Sequence, residues 1–524
     1  MEKRAIVIGA GIGGTALTLL LAEAGIQVTL LEKNRHIGGS CAGYEKKGFK
    51  IDFGTHLFSR GPRGPLGEVL RRVGEPEAIE FRRTHHIAEL RVPVGPGSDE
   101  IMTISWPSQL HRFPLPMARF VATMGLTPLE MAEGAALFSR LLTISEAEAK
   151  VWDHRTIEEF VGRYTANPRL SGALSFLLGL YFVLPPWEVS AGEAIYAFQR
   201  MMRDNWLSYP AGGAKAIPTT YCRLAEQRGA TVRVSAPVRR ILIEKGRARG
   251  VELDDGTRLD AAIVISTSSM RTTALRLCDP GRLPADFVER ARSVRGSQIA
   301  IQAKFALDEK LVEAGCLMGG FSETAGLFDG DAETLRGVYN DMASGRVPSI
   351  IPFYCPVPTN FDPSLAPPGH QLLTVCAAAP TTDVLLVDPA PAWEAALMRT
   401  MRAIVPGIES HVIFVDRTTV RWMERWLGKE YGPAISTGQT PSQVGDLRPS
   451  VATPVEGLYM AGDGAGGRGV GTELAADSAM ECAERILDDL GIPQPGSWRS
   501  PRRRSPRLTR SLKLLLRPSP TVRP

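Results

Sequence analysis

The chain has 524 residues, 44% of them hydrophobic and 22% charged, with a formal net charge of +5; it is too long for one ordinary domain and apolar enough for two or three, each with its own core. The basicity lies in the last stretch, Ser497 to Pro524, where Arg499, Arg502, Arg503, Arg504, Arg507, Arg510, Lys513, Arg517 and Arg523 occur with no Asp or Glu; the remainder is slightly acidic and gives no support to nucleic-acid binding. Seven scattered cysteines without a CxxC pair, and eight histidines without ligand spacing, argue against a disulfide frame and predict no metal site. No apolar run reaches the roughly 18 residues of a membrane span. The first strand begins by Ala5, leaving no room for a signal peptide, so a cytoplasmic location is expected.

The apolar run Ala5-Ile6-Val7-Ile8 ends on Gly9-Ala10-Gly11-Ile12-Gly13-Gly14. A helix-patterned segment (Thr15 to Ala24), Gly25 and a second strand-like run, Val28-Thr29-Leu30-Leu31, lead to Glu32. Strand, glycine turn, helix, strand and acid, in that order, form the dinucleotide-binding βαβ unit. Gly9 is expected to make the tight turn, Gly11 to let backbone approach a pyrophosphate, and Gly14 to let helix and strand pack closely. The helix N-terminus then faces the phosphates with free N–H groups and its positive dipole end. Glu32 is placed to accept both hydroxyls of the adenosine ribose, and it would repel the 2′-phosphate of NADP.

The next loop, Lys33-Asn34-Arg35-His36-Ile37-Gly38-Gly39-Ser40, holds a second glycine pair, and Phe49 to Gly54 alternates like a short strand before Thr55-His56. NAD dehydrogenases have no need of this second pair; flavoproteins use such a loop against the flavin end of FAD. Glu32 with Arg35, Gly38-Gly39 and the Phe49 to Gly54 segment resembles the opening of the phytoene desaturase-like flavoproteins, within the wider amine oxidase and glutathione reductase type. That family usually carries proline before the histidine, where this chain has Thr55. His56 is the candidate for a catalytic place near the flavin, with a hydrogen-bonded structural histidine as the plainer reading.

From about residue 86 to 204 the composition changes. Trp106, Phe113, Met117, Phe120, Met124, Leu126, Met131, Leu137, Phe138, Leu141 and Leu142 are spread over helical or proline-broken stretches, and Leu170 to Leu184 is a dense apolar run. Two readings stand: ordinary buried helices, or a helical cap that lines an apolar tunnel or docks on a membrane surface. After Tyr209-Pro210-Ala211-Gly212-Gly213 come a helix (Ala216 to Arg228), a strand from Thr231, a hairpin turning at Asp254-Asp255-Gly256, and a buried strand over 261–267. The resemblance implies that Val238 holds the adenine through its backbone.

A strand is expected over Ile299 to Leu307, and another from Leu372 to Val375. Before the latter, Asp362-Pro363-Ser364-Leu365-Ala366-Pro367-Pro368-Gly369 closely resembles the desaturase-like pattern, with the expected physical job of a rigid turn. The closing motif is Gly462-Asp463-Gly464, then Gly469-Val470-Gly471 and a helix to Leu490. Asp463 is expected on a ribityl hydroxyl. The Gly469-Val470-Gly471 turn would aim a helix N-terminus at the flavin pyrimidine edge. Beyond Pro493 the chain reads as disordered, with Leu508 to Leu516 either a basic amphipathic contact for anionic lipid or a solvated tail.

The expected fold is α/β: a Rossmann-type FAD-binding domain of glutathione reductase/amine oxidase type (1–85, 205–295, 445–492) with an interleaved α+β substrate domain (86–204, 296–444). FAD is the expected cofactor, held by Gly9, Gly11, Ile12, Gly13, Gly14, Glu32, Lys33, Arg35, Gly38, Gly39, Ser40, Val238, Gly462, Asp463, Gly469, Val470 and Gly471. The resemblance implies an oxidoreductase acting on a long apolar isoprenoid or polyene by desaturation, saturation or isomerisation. Two alternatives remain open. One is an amine oxidase using an aromatic cage of Trp422, Trp426 and Tyr431. The other is a non-catalytic prenyl-binding protein of the Rab escort and GDP-dissociation-inhibitor type, which the intact Glu32, Gly38-Gly39 and Asp463 argue against.

Overall fold

The computed structural model describes residues 4–54, 57–93, 100–107, 127–322, 332–348, 350–379, 381 and 390–498. Two sheets organise them. The first is wholly parallel, with strands Leu458–Met460, Ile263–Ser266, Arg4–Ile8, Gln27–Leu31 and Thr231–Arg233 side by side in that order. Such strands are covered on both faces, which is why they read as continuous apolar runs. Helix Ile12–Glu23 is buried from Ile12 through Ala22, lying between helices Ala216–Glu226 and Gly471–Asp489. A helix apolar all round belongs inside a core.

The second sheet has seven strands, ordered Val412–Thr418, Ile299–Leu307, Gln371–Ala379, Ile350–Pro356, Cys316–Ser322, His86–Pro93 and Ile101–Pro107. All neighbours are antiparallel except Cys316–Ser322 with His86–Pro93. Helices Ala332–Ala343 and Ala390–Ile404 pack on this sheet, with Val338, Met342, Trp393, Leu397 and Met401 in its core. A separate helical group, including Pro128–Thr143, Pro168–Phe182 and Ala191–Asp204, closes around Leu137, Leu141, Trp152, Phe160, Phe182 and Ile195. Leu137, Leu141, Phe182 and Leu184 thus belong to an ordinary core and Met131 is exposed, while 108–126, with Phe113, Met117, Phe120, Met124 and Leu126, lie outside the described residues. Among the described residues no helix is long and apolar enough to cross a membrane, and all seven cysteines are buried and outside any disulfide.

The turn at Asp362 proves to be a staple. Its buried carboxylate accepts from Ser364 N and Oγ (3.1 and 2.8 Å), Arg82 Nη1 (2.5 Å) and Gly212 N (2.7 Å). It therefore joins the strap before strand Gln371–Ala379 to the turn preceding helix Ala216–Glu226. The end of the chain differs from expectation. Disorder was expected beyond Pro493, yet Trp498 is buried in the first core, beneath the Arg72 guanidinium at 5.5 Å. An indole next to a packed helix outweighs the surrounding proline and glycine. Arg499 onward lies outside the described residues.

Lys304 is fully buried on the second sheet, donating to Phe53 O (3.1 Å) and to Thr418 Oγ1. Burial pushes its ammonium down to about 8, against the opposing pull of Asp52 and Asp416. Between pH 8 and the ordinary lysine value of 10.5 the unfolded chain holds this proton and the folded chain does not. Stability from this group therefore rises with pH in that window, with a slope approaching about 1.4 kcal/mol per pH unit. Denaturant titrations at pH 8, 9 and 10 are expected to show this rise in the wild type and to lose it in Lys304→Met.

Candidate functional site

One cavity of about 510 Å³ lies where the two sheets meet. Its first wall is the dinucleotide unit. Gly9, Gly11, Ile12, Gly13, Glu32, Lys33, Gly39, Ser40, Val238, Gly462, Asp463, Val470 and Gly471 all line it. Helices Ile12–Glu23 and Gly471–Asp489 both begin on this wall, and neither N-terminus has a side-chain cap. Their free N–H groups and positive dipole ends are suited to phosphate and to developing negative charge. At Gly11 a Cβ would meet nothing within 4 Å, so the backbone there faces open space; at Gly14 it would fall 1.9 Å from Gly9 O. Gly11 thus serves the cavity, and Gly14 serves helix–strand packing.

The remaining expected residues stand behind or beside this wall. Gly38 N donates to Ala10 O at 2.7 Å, and Gly469 O accepts Gln439 Nε2 at 3.0 Å. Gly14, Gly38 and Gly469 are not on the lining, and Arg35 is exposed on the loop beyond it. His56 and Thr55 lie outside the described residues. Glu32 accepts Ala10 N and Asn34 N, each at 2.8 Å, which fixes its carboxylate against the first turn.

Asp463 has partners the sequence did not suggest. Lys429 Nζ donates to its Oδ2 at 2.5 Å, and Ser436 donates through N and Oγ, both at 3.0 Å. Burial alone would raise its proton affinity, but Lys429 and these hydrogen bonds hold the carboxyl below its usual range. Asp463 thus lines the cavity as one member of a charged pair. Lys429 follows a helix stop at Gly428, a position that carries no functional signal in sequence.

The second wall comes from the seven-stranded sheet and the end of helix Pro168–Phe182. Ala300, Gln302, Met318, Tyr354, Cys376 and Ala378 line it from the sheet, with Leu180, Tyr181 and Val183 from the helical side. Gln302 Oε1 is buried with no hydrogen-bond partner among the described residues. Glu473, in the first turn of Gly471–Asp489, also lines the cavity and is buried. Burial raises its pKa above the usual carboxylate value, with Arg60 opposing. Sequence reading missed it, because a glutamate at that position reads as an ordinary helix start.

The expected aromatic cage takes another form. Trp422 and Trp426 stack on each other at 5.4 Å and 5°, and Phe53 packs against both at 4.9 and 4.6 Å. Trp426 Nε1 donates to Gly39 O at 2.9 Å. Tyr431 lies apart, under the Arg271 guanidinium at 5.2 Å. Trp422, Trp426 and Phe53 fill a junction, Trp426 also lines the cavity, and Tyr431 is not joined to them in one cage.

The family described as flavin-containing amine oxidoreductase matches residues 12–487, and the chain belongs to it. The zeta-carotene-forming phytoene desaturase of Myxococcus xanthus is 26% identical over 506 residues, covering 93% of this chain and 94% of that protein. The chloroplastic prolycopene isomerase of Daucus carota is 24% identical over 531 residues, covering 94% and 81%. The all-trans-retinol 13,14-reductase of Danio rerio is 29% identical over 312 residues, covering 51% and 48%. Among solved structures, an oxidoreductase from Methanosarcina mazei has a TM-score of 0.69 at 23% identity, covering 92% of this chain and 100% of that one. Putrescine oxidase bound to putrescine has a TM-score of 0.63 at 16% identity, covering 94% and 100%. The chain is an FAD-dependent oxidoreductase of phytoene desaturase-like type.

The residues present fit FAD. Two uncapped helix ends, the open approach at Gly11 and the unpartnered Gln302 Oε1 all belong to one cavity. Gly11 has extended backbone (φ −72°, ψ −176°) that any residue adopts. Gly11→Val is therefore expected to leave the melting temperature of flavin-free protein near wild type while weakening FAD retention roughly tenfold or more. Gly14→Val, which meets Gly9 O, is expected to yield unfolded protein. Flavin-to-protein absorbance after gel filtration, with thermal melts of the stripped protein, checks both.

Proposed function

We propose that this chain uses FAD to change the hydrogen content or double-bond geometry of a long apolar polyene of carotenoid or isoprenoid type. The carrying observation is the second cavity wall, where Leu57, Leu180, Val183, Ile299, Ala300, Met318, Ala377 and Ala378 continue directly from the dinucleotide wall. A hydrocarbon chain gains free energy by leaving water for such a surface. The named activities of the Myxococcus, Daucus and Danio relatives, on carotenes, prolycopene and retinol, support the same substrate class. We assign residues 1–85, 205–295 and 445–492 to FAD binding and 86–204 with 296–444 to the substrate; the two sheets draw their strands from these two sets.

In this reading Gly11 and Gly13, with the first turn of helix Ile12–Glu23, hold the pyrophosphate. Glu32 and Val238 hold the adenosine end. Ser40, Gly462 and the Val470-Gly471 turn hold the flavin end. Hydride acceptance is the flavin's own chemistry when bound. What the chain adds is an apolar channel that orients the substrate and excludes water. Its membrane contact, if the basic tail provides one, would bring the channel to where such substrates dissolve.

The amine oxidase alternative is the weaker one: Trp422 and Trp426 stack on each other and on Phe53 while Tyr431 lies apart, so the three residues do not form one cage around a cation. Anaerobic addition of a C30–C40 polyene in detergent to FAD-loaded protein is expected either to bleach the flavin bands or to change the polyene spectrum. Addition of a primary diamine is expected to change neither. Flavin bleached by the diamine and untouched by polyenes would overturn the assignment.

A further inference from the structure

Within its apolar lining the cavity holds one hydrogen-bonded file of polar side chains. Glu473 Oε1 accepts Ser59 Oγ at 3.2 Å and Arg60 N at 3.1 Å. Ser59 Oγ lies 3.5 Å from Tyr181 Oη, and Tyr181, Ser59 and Glu473 all line the cavity. Behind them Arg60 Nη1 is 3.5 Å from Glu473 Oε2, while Arg60 Nε donates to Asp204 Oδ2 at 2.7 Å. Arg60 is therefore shared, and Glu473 does not own its counter-ion.

The other lining carboxylates are committed. Glu32 accepts two backbone N–H groups at the first turn, and Asp463 is paired with Lys429. Lys33 Nζ donates to Arg425 O. Among the described lining carboxylates, only Glu473 is bonded to a hydroxyl that itself lines the cavity and can both give and take a proton.

We propose that Tyr181, Ser59 and Glu473 form the proton-exchange file of this enzyme, with Glu473 as the proton reservoir and Tyr181 as the group that meets the substrate. The proposal rests on the polyene reading. In desaturation one C–H bond breaks and its electron pair leaves with the hydrogen as hydride, which oxidised FAD would accept when bound. The neighbouring C–H bond breaks and its electron pair becomes the new C=C bond. That proton passes to Tyr181 Oη as Tyr181 gives its own to Ser59 Oγ and Ser59 gives its own to the Glu473 carboxylate. The substrate loses two hydrogens and two electrons, as a hydride that bound FAD would accept and a proton that Glu473 takes up. Saturation runs the same transfers in reverse, whereas a pure cis/trans rotation needs no proton.

The surroundings suit this role. Burial raises the proton affinity of Glu473, with Arg60 opposing and Asp204 adding to the rise. Facing groups come from four elements: Asp477 from its own helix, Arg60 and Ser59 from the loop before helix Pro65–Arg72, Tyr196 and Asp204 from helix Ala191–Asp204, and Tyr181 from helix Pro168–Phe182. A carboxyl moved toward neutrality is the kind that exchanges protons near working pH. Desaturation needs it ionised, so its rate rises with pH through the pKa of Glu473; saturation needs it protonated and falls.

The test compares FAD-loaded wild type, Tyr181→Phe and Glu473→Gln, each first checked for flavin content and for polyene affinity by spectral titration. Both are expected to stay within about twofold, while the two-hydrogen reaction slows roughly 100-fold and its pH dependence disappears in Glu473→Gln. Infrared titration without substrate supplies a readout independent of turnover. A carboxyl C=O band titrating above the usual carboxylate range is expected in wild type and Tyr181→Phe, and its loss is expected in Glu473→Gln. Conversion by both variants at the wild-type rate, or a band unchanged in Glu473→Gln, overturns the file alone. No conversion of any polyene by the wild type overturns the polyene reading and the file with it.

Discussion

The cavity depends on a junction where helix Val420–Leu427 ends against the dinucleotide loop. Lys33 Nζ donates to Arg425 O at 2.5 Å, Asn34 Nδ2 to Trp426 O at 3.1 Å, and Trp426 Nε1 to Gly39 O at 2.9 Å. The last carbonyls of a helix carry its negative dipole end and lack partners of their own. A lysine and an amide from the other sheet supply those partners. The same contact places Trp422, Trp426 and Phe53 in one stack. With the Asp362 staple on the far side, it holds a parallel sheet and a mostly antiparallel one at a fixed distance. The space between them has a polar backbone wall and an apolar wall.

That division of walls connects fold to chemistry. The polar wall offers main-chain N–H groups at two helix starts to the charged part of a cofactor, with Glu32 and the Asp463–Lys429 pair beside them. The apolar wall is a sheet face of small and medium residues, Ala300, Ala377, Ala378, Ile299 and Met318. Gln302 and Tyr354 interrupt it from the sheet, and Tyr181, Ser59 and Glu473 meet it from the neighbouring elements. Desolvation makes each of them costly unless partnered.

Much of this was legible in sequence because the constraints are local. The βαβ unit could be read because glycine at Gly14 answers a 1.9 Å contact with Gly9 O, and Gly13 a 2.8 Å approach to Gly462 Cα. Strand Ile299–Leu307 and the hairpin ending at Asp254-Asp255-Gly256 followed from apolar runs and turn residues. Val238 lines the cavity beside Ala236 and Pro237. What escaped reading depends on partners far along the chain. Lys304 gives no hint that it is buried under Phe53. Asp463 took Lys429 as its partner, and Trp422 and Trp426 took each other and Phe53, so the imagined amine cage became a joint. Glu473 looked like a helix-start acid, and only the arrival of Ser59 and Arg60 from more than four hundred residues away gives it a different environment.

The central claim is that cofactor and polyene occupy the two walls of one cavity. Hydrogen–deuterium exchange of stripped protein, FAD-loaded protein, and FAD-loaded protein with polyene tests it most directly. FAD is expected to protect 9–15, 32–34 and 460–473. The polyene is expected to add protection at 179–183, 299–302 and 376–378 without undoing the first set. Polyene protection confined to surface helices, or polyene protection that reverses that of FAD, would contradict the account.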